Sequence, residues 1–233
     1  MPSKANCLVC GKPLLYFEEA QEVECVLCGK RETGHSICEA GHYVCDACHR
    51  ARGVDRVMEY CLASRLADPI AMAVELMRDR SIYPNGPEHH TLAGAVLLAA
   101  YRNAGGALDL ERGLSELRRR SMQVPGGTCG FWGVCGAAAS AGQFWSIVTG
   151  STPMKRDEWA ECQELVSRVL AHLAKLGGPR CCKRACFTAI LEGVAFAEEK
   201  RGVRMTLPDA VRCAFFPRNG ECLKEACPYY PVR

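Results

Sequence analysis

The chain has 233 residues, enough for one sizeable domain together with a small accessory module. Its formal net charge is only +3 at pH 7, and its one tight basic run is Arg118 to Arg120, so the sequence does not indicate a nucleic-acid partner. No uninterrupted apolar run reaches the roughly 18 residues of a membrane span, so we expect no membrane insertion.

Cysteine is the outlier of the composition, with 17 residues. The sequence reaches Cys7 and Cys10 without an apolar signal segment, so we expect a cytoplasmic protein with reduced thiols rather than a secreted disulfide framework. Reduced thiols serve in metal binding, in catalysis or in core packing. The large number of thiols favours metal binding.

Residues 1–52 carry four ligand pairs and little helical periodicity, which predicts a separate metal-binding module. The pairs are Cys7-x2-Cys10, Cys25-x2-Cys28, His35-x2-Cys38 and Cys45-x2-Cys48. A module this small needs a metal to stabilise it, and four soft ligands make a closed tetrahedral zinc site. Eight ligands predict two zinc ions, with the pairs combined either in sequence or crosswise. His42 is an alternative ligand to His35.

The first two pairs each run into Gly-Lys, as in a zinc knuckle. With this arrangement the module resembles treble-clef and zinc-ribbon modules, and the resemblance implies a small fold that metal holds together. An iron–sulfur cluster on the same thiolates is the alternative.

Residues 53–233 are predicted to form an all-α helical domain, so that the chain is mainly α. Apolar residues recur there at spacings of three and four, and no alternating strand pattern competes. The predicted helices cover residues 54–67, 68–80, 90–106, 108–122, 133–150, 156–178, 183–202 and 207–216. Asp68 before Pro69 is the predicted N-cap of the second helix. The third helix is apolar nearly all round, which is typical of a central helix.

Cysteines of the helical domain fall beside glycine or proline breaks, at predicted helix starts and in the tail. They are Cys129, Cys135, Cys181, Cys182, Cys222 and Cys227. A helix N-terminus favours the thiolate, and glycine lets backbone amides approach a cluster closely. We therefore predict that Cys129, Cys135 and one or two of the others bind a [4Fe-4S] cluster shielded by Phe131 and Trp132. Three thiols in helical patterns are predicted to pack in the core: Cys61, Cys162 and Cys213.

Glu88, His89 and His90 directly precede the predicted central helix, after a turn rich in proline and glycine. A histidine beside a carboxylate can act as a general base or a metal ligand, so these three are the candidate catalytic residues. The alternative is a helix cap with imidazoles that face solvent.

Six motifs along the chain form a pattern that resembles a known family: CxxCG, GHYVCDACH, GPEHH, GGTCGFWGVCGAA, GGPRCCKR and NGECLKEACPY. Through them the chain resembles, over nearly its full length, an uncharacterised cysteine-rich family of anaerobic archaea and bacteria, a domain of unknown function. Members occur alone or attached to methyltransferase or radical-chemistry domains. The resemblance implies an anaerobic, iron–sulfur-rich setting and a methyltransferase or radical-enzyme partner, and it implies no particular reaction.

Three functions are consistent with these features. The first is an iron–sulfur-dependent enzyme that handles sulfur or electrons, acts on a small molecule and uses a histidine to move protons. The second is a non-catalytic metal-binding scaffold for a methyltransferase or radical enzyme. The third is a dithiol redox protein using Cys181 with Cys182 or Cys222 with Cys227, although adjacent cysteines seldom form an unstrained disulfide.

Overall fold

A computed structural model of the chain describes residue 7 and residues 9–231, with Asp46 described by its backbone alone. The chain divides into two compact units, Met1–Arg52 and Gly53–Arg233. The prediction of a mainly helical chain with a cysteine-rich, metal-competent N-terminal part is confirmed.

The N-terminal unit is built on a two-stranded antiparallel sheet. Strand β1 is Leu14–Glu24 and strand β2 is Arg31–Cys38. In the register Leu14 lies opposite Cys38 and Glu24 lies opposite Arg31, with an irregularity between Tyr16 and Gln21. The hairpin therefore brings the chain just after Cys38 back to the segment that follows Cys10.

Eight α-helices follow the two strands in the described part of the chain. They are α1 (Asp46–Ala63), α2 (Pro69–Arg78), α3 (His89–Asn103), α4 (Leu110–Ser121), α5 (Thr128–Phe131), α6 (Gly136–Thr149), α7 (Asp157–Leu176) and α8 (Cys182–Arg201). Two short 3-10 turns, Phe216–Arg218 and Lys224–Ala226, lie in the C-terminal tail. No helix among the described residues is long and apolar enough to cross a membrane.

Sequence signals account for the ends of several helices. The Asp68 carboxylate accepts a hydrogen bond from the N–H of Ala71 at 2.9 Å, so the predicted N-cap of α2 is confirmed. Helix α6 ends at Gly150, which adopts the left-handed conformation that favours glycine. These caps satisfy backbone groups that have no partner within the helix.

The core of the helical domain forms around α3, which is buried from His89 to Tyr101. Helices α6 and α8 pack against it, and the rings of Trp145 and Phe196 meet edge to face with their centroids 5.0 Å apart. Gly94 of α3 lies so close to α6 that a Cβ there would be 2.8 Å from the Ser140 carbonyl oxygen. The central position predicted for this helix is confirmed.

The helix predicted over residues 207–216 is wrong. This segment is irregular and ends in the 3-10 turn Phe216–Arg218. The backbone N–H of Cys213 bonds to the distant carbonyl of Tyr229 at 2.7 Å, rather than to a carbonyl of the preceding turn. Long-range pairing has replaced local helical bonding, which periodicity cannot reveal.

Candidate metal centres and a cysteine-lined cavity

Two groups of four potential metal ligands form in the N-terminal unit. One group is Cys7, Cys10, Cys38 and His42, and the other is Cys25, Cys28, Cys45 and Cys48. Within each group the ligand atoms all lie within 4.8 Å of one another. The ligand pairs therefore combine crosswise, the first with the third and the second with the fourth.

The spacing of the ligand atoms fits a single tetrahedral ion in each group. The sulfurs of Cys10 and Cys38 are 3.8 Å apart, and those of Cys28 and Cys45 are 3.7 Å apart. A tetrahedral ion with metal–sulfur bonds of about 2.3 Å places its sulfurs about 3.8 Å apart. Both groups can thus accept a metal ion without rearrangement.

Backbone N–H groups point at the sulfurs and favour their ionised form. Ala40 and His42 each donate to Cys38 Sγ at 3.3 Å, and Cys45 donates to Cys25 Sγ at 3.3 Å. Burial alone would raise the pKa of both thiols, but such donors lower the pKa of Cys38 to about 7 and that of Cys25 to about 6. Thiolate is the form that binds metal.

His42, and not His35, joins the first group. His35 lies on β2, with its Nδ1 3.3 Å from the Phe17 carbonyl oxygen. Because side chains alternate along a strand, residues three apart point to opposite faces, so His35 cannot share a site with Cys38. The third pair is therefore Cys38-x3-His42, and the pairing of His35 with Cys38 is wrong.

A cavity of about 510 Å³ opens in the helical domain beside the starts of α3, α6 and α8. Four cysteines and two histidines line it: Cys129, Cys135, Cys181, Cys182, His89 and His90. Arg180 and Arg184 add positive charge, whereas no carboxylate lies among the described residues that line the cavity. Four of the six predicted cluster cysteines and both predicted histidines thus meet at one cavity.

Burial governs the electrostatics of the cavity thiols. Cys135 is the N-cap of α6, and the N–H groups of Ala137 and Ala138 act to lower its pKa, but burial outweighs them and raises it. Burial likewise raises the pKa of Cys182 to about 12. Burial therefore favours the neutral thiol at Cys135 and Cys182.

Glu88 and His89 belong to a buried network with Lys183. The Lys183 ammonium donates to the Tyr83 carbonyl at 2.7 Å and lies 3.0 Å from His89 Nε2. On the other side of the ring, His89 Nδ1 lies 3.0 Å from the Gly86 carbonyl oxygen. The imidazole thus accepts from lysine and donates to the loop, as a neutral ring does. Burial, reinforced by the charge of Lys183, lowers the pKa of His89 and favours that neutral form.

Glu88 is fully buried and does not line the cavity. Its Oε1 accepts a hydrogen bond from the Tyr83 N–H at 2.9 Å and lies 3.4 Å from His89 Nδ1. The carboxylate therefore shapes the loop before α3 and orients His89.

His90 packs its ring directly on the start of α6. A Cβ at Gly136 would be 2.1 Å from the imidazole, so only glycine permits this approach. The ring lies on the wall of the cavity, with its Nδ1 3.3 Å from the Val124 carbonyl oxygen. The histidine is therefore held in the cavity by packing, rather than facing solvent.

The two tail cysteines, Cys222 and Cys227, lie elsewhere. They line a second, small cavity together with Cys181 and Cys213. Cys213 is partly buried and packs against the core, as predicted, but it lies in an irregular segment and not in a helix. The signal that could have singled it out is its position between Pro208 and Pro217, where a helix is difficult to form.

The aromatic residues of the glycine-rich loop point outward. Phe131 is 89% exposed and Trp132 is 66% exposed. The prediction that they shield a cluster is wrong, because the short helix α5 turns both rings away from the cavity.

Comparison with known proteins places the helical domain in a family. Residues 57–230 match a family of unknown function, DUF5714. The chain belongs to this family. No curated protein and no solved structure matches the chain.

The matched range contains both cysteine-lined cavities and the buried network of Glu88, His89 and Lys183. It excludes the two tetrahedral ligand groups, which end at Cys48. The family match therefore covers the helical domain and not the N-terminal module.

Proposed function

We propose that the chain is an iron–sulfur-dependent enzyme that handles sulfur or electrons. In this proposal cysteines of the helical domain hold a [4Fe-4S] cluster, and the reaction takes place in the 510 Å³ cavity. The observation that carries the proposal is that four thiols and two imidazoles from distant parts of the sequence line one cavity. Thiolates are the usual ligands of iron–sulfur clusters, and imidazoles transfer protons near neutral pH.

The cavity also indicates the class of substrate. Its volume falls within the range of roughly 300–1,000 Å³ that small-molecule sites occupy. Arg180 and Arg184 give its wall a positive charge, and Leu170, Leu173 and Ala174 give it an apolar side. These features favour a small, neutral or anionic molecule with an apolar part.

Within this site we assign proton transfer to His90, which lies on the cavity wall. His89 also reaches the wall, but its two ring nitrogens bond to Lys183 and to the Gly86 carbonyl, so its role is to hold these groups in place. Glu88 acts behind them as a positioning residue, because it contacts His89 and the loop but not the cavity.

For the N-terminal module we propose two structural zinc ions. Each ligand group has four members, and a site with four protein ligands leaves no open position for a substrate. Ligands drawn crosswise from both ends of the hairpin hold this small unit together through the metal.

A second candidate function is a metal-bearing scaffold for a partner enzyme. The observation that favours it is the exposed pair Phe131 and Trp132, on the same loop as the cavity residue Cys129. Exposed aromatic side chains are enriched where proteins bind one another. The partner we propose is a methyltransferase or radical enzyme in the cytoplasm of an anaerobe.

Metal analysis of the full chain, purified without oxygen, tests the proposed enzyme. We expect about four iron and four sulfide per chain, and a broad absorption that bleaches on reduction with dithionite. We also expect zinc at about two per chain, one for each ligand group. As a matched control, Cys162→Ala removes a buried thiol of α7 and should leave the iron content unchanged.

Colourless protein without iron after reconstitution would contradict an iron–sulfur function. If the protein binds iron, but the iron cannot be reduced and its absorption spectrum does not change when thiols or disulfides are added, the scaffold function is favoured.

A further inference from the structure

Four thiols of the helical domain converge on the small cavity at the start of α8. Cys181 directly precedes α8, Cys213 lies in the irregular segment after it, and Cys222 and Cys227 lie in the tail. All four line the same cavity. Three separate stretches of chain therefore deliver four soft ligands to one place.

Three of these sulfurs accept a hydrogen bond from the backbone N–H of a residue two or three positions later. Cys213 accepts from Phe215 at 3.4 Å, and Cys222 accepts from Lys224 at 3.3 Å. Cys181 accepts from Arg184 at 3.5 Å.

A side chain adds one more donor. Asn219 Nδ2 donates to Cys181 Sγ at 3.5 Å, which ties that sulfur to the tail. The tetrahedral groups of the module show the same arrangement, with the N–H of Val9 donating to Cys7 Sγ at 3.3 Å. The donors prepare these sulfurs to carry negative charge.

Positive charge lies beside the four thiols. Lys183 and Arg184 are both buried and both line the small cavity. Clustered thiolates are unfavourable unless a cation lies among them, and a metal supplies that cation.

We infer that Cys181, Cys213, Cys222 and Cys227 form a four-thiolate metal centre in the helical domain. If the function proposed above holds, this centre is the [4Fe-4S] cluster. The inference adds Cys213 to the ligands and releases Cys129, Cys135 and Cys182 from that role.

The spacing favours a cluster over a single ion. Among the described residues, three or more ligand atoms all within 4.8 Å of one another occur only in the N-terminal module. The four thiols at α8 are thus more widely spaced than a single tetrahedral ion requires. In a [4Fe-4S] cluster each thiolate binds a different iron, so the sulfurs lie further apart.

This assignment places the metal centre next to the large cavity. Cys181 lines both cavities, and its neighbour Cys182 lines the large one. Cys129, Cys135 and Cys182 are then free thiols that line the large cavity, and Cys182 directly follows a metal ligand in the sequence.

Anaerobic reconstitution of the full chain with iron and sulfide tests the site. Cys213→Ser should lower bound iron and sulfide at least fivefold, while zinc stays at the wild-type level. Cys135→Ser, a matched change at the large cavity, should keep the iron. Circular dichroism and gel filtration show whether each variant is folded.

If Cys213→Ser does not fold, Cys222→Ser serves instead, since Cys222 lies in the tail and does not pack against the core. Full iron in the folded tail variants, or loss of iron in Cys135→Ser, overturns the site and leaves the proposed function standing. A wild-type chain that holds a third zinc instead of iron, lost in Cys213→Ser, supports the site and contradicts the iron–sulfur function. A wild-type chain with no metal beyond the two module ions overturns both.

Discussion

Gly94→Ala tests whether close contact between α3 and α6 builds the cavity. The new Cβ would lie 2.8 Å from the Ser140 carbonyl oxygen and 2.9 Å from Leu117 Cδ1. It would also disturb the hydrogen bond from the Gly94 N–H to Ser140 Oγ, which measures 2.8 Å. Since α3 and α6 begin at His89 and Gly136, any separation of the two helices widens the cavity between their starts.

The expected magnitude follows from three terms. Alanine is favoured over glycine in a helix by about 1 kcal/mol, whereas overpacking a core contact costs about 1–3 kcal/mol. A weakened hydrogen bond costs about 1 kcal/mol more. We expect the free energy of unfolding of the helical domain to fall by about 2 kcal/mol and Tm to fall by about 4–8 °C.

Gly113→Ala is the matched control, measured by urea denaturation and thermal melting under the same conditions. Gly113 is also buried within a helix, but its nearest side-chain atoms, on Ile147 and Leu108, lie at an ordinary contact distance of 3.4 Å. This variant should be stabilised by up to about 1 kcal/mol. Gly94→Ala with unchanged or increased stability would refute the claim that glycine is needed where the helices cross.

Two other predictions concern individual side chains. His42→Ala should release about one of the two module zinc ions, whereas His35→Ala should keep both; equal zinc loss in the two variants would contradict the crosswise grouping. For Glu88, burial raises the pKa, but the interaction with His89 lowers it by a larger amount. The net result is a pKa below the ordinary 4.5. The stabilisation by Glu88 is therefore complete above pH 4.5 and is lost as the pH falls through the lower, folded-state pKa. Glu88→Gln should be less stable than wild type by about 1–3 kcal/mol at neutral pH, with the gap narrowing in acid; a constant gap in urea titrations from pH 7 to 3 would count against this.

Local sequence signals determine most helices, and for that reason they could be predicted. Helix α2 needs only Asp68 as its cap and apolar residues on one face, both of which are visible in the sequence. The segment 207–216 has a similar apolar content, yet the N–H of Cys213 bonds to Tyr229. A backbone hydrogen bond between two separate segments leaves no periodic pattern of apolar residues in the sequence of either segment.

Metal-ligand spacing made the N-terminal module predictable to within one residue. Cys-x2-Cys pairs are local geometry, so they identified the thiols of both groups. The choice between His35 and His42 depends on β2, whose alternation turns His35 away from Cys38. A strand prediction there would have been enough to select His42.

The cavity residues could be found as individual candidates but not sorted into sites. Each cysteine lies beside a helix break, and that property is local. Whether Cys181 faces Cys135 or Cys213 depends on how the tail folds back on α8, which is set by contacts such as the hydrogen bond between Thr188 and Tyr229, 2.9 Å long. Tertiary packing alone decides that question.

The first turn of α8 explains how adjacent cysteines can serve different cavities. Successive helical residues diverge by about 100° around the axis, so neighbours at a helix start face in different directions. Cys181 turns toward Asn219 of the tail, and Cys182 lines the large cavity. Lys183 reaches inward to His89, and Arg184 donates to the Pro179 carbonyl at 2.7 Å. Two thiols and two buried cations thus share one turn. The segment that carries Cys181, the first ligand of the proposed centre, therefore also supplies positive charge that would stabilise a buried thiolate.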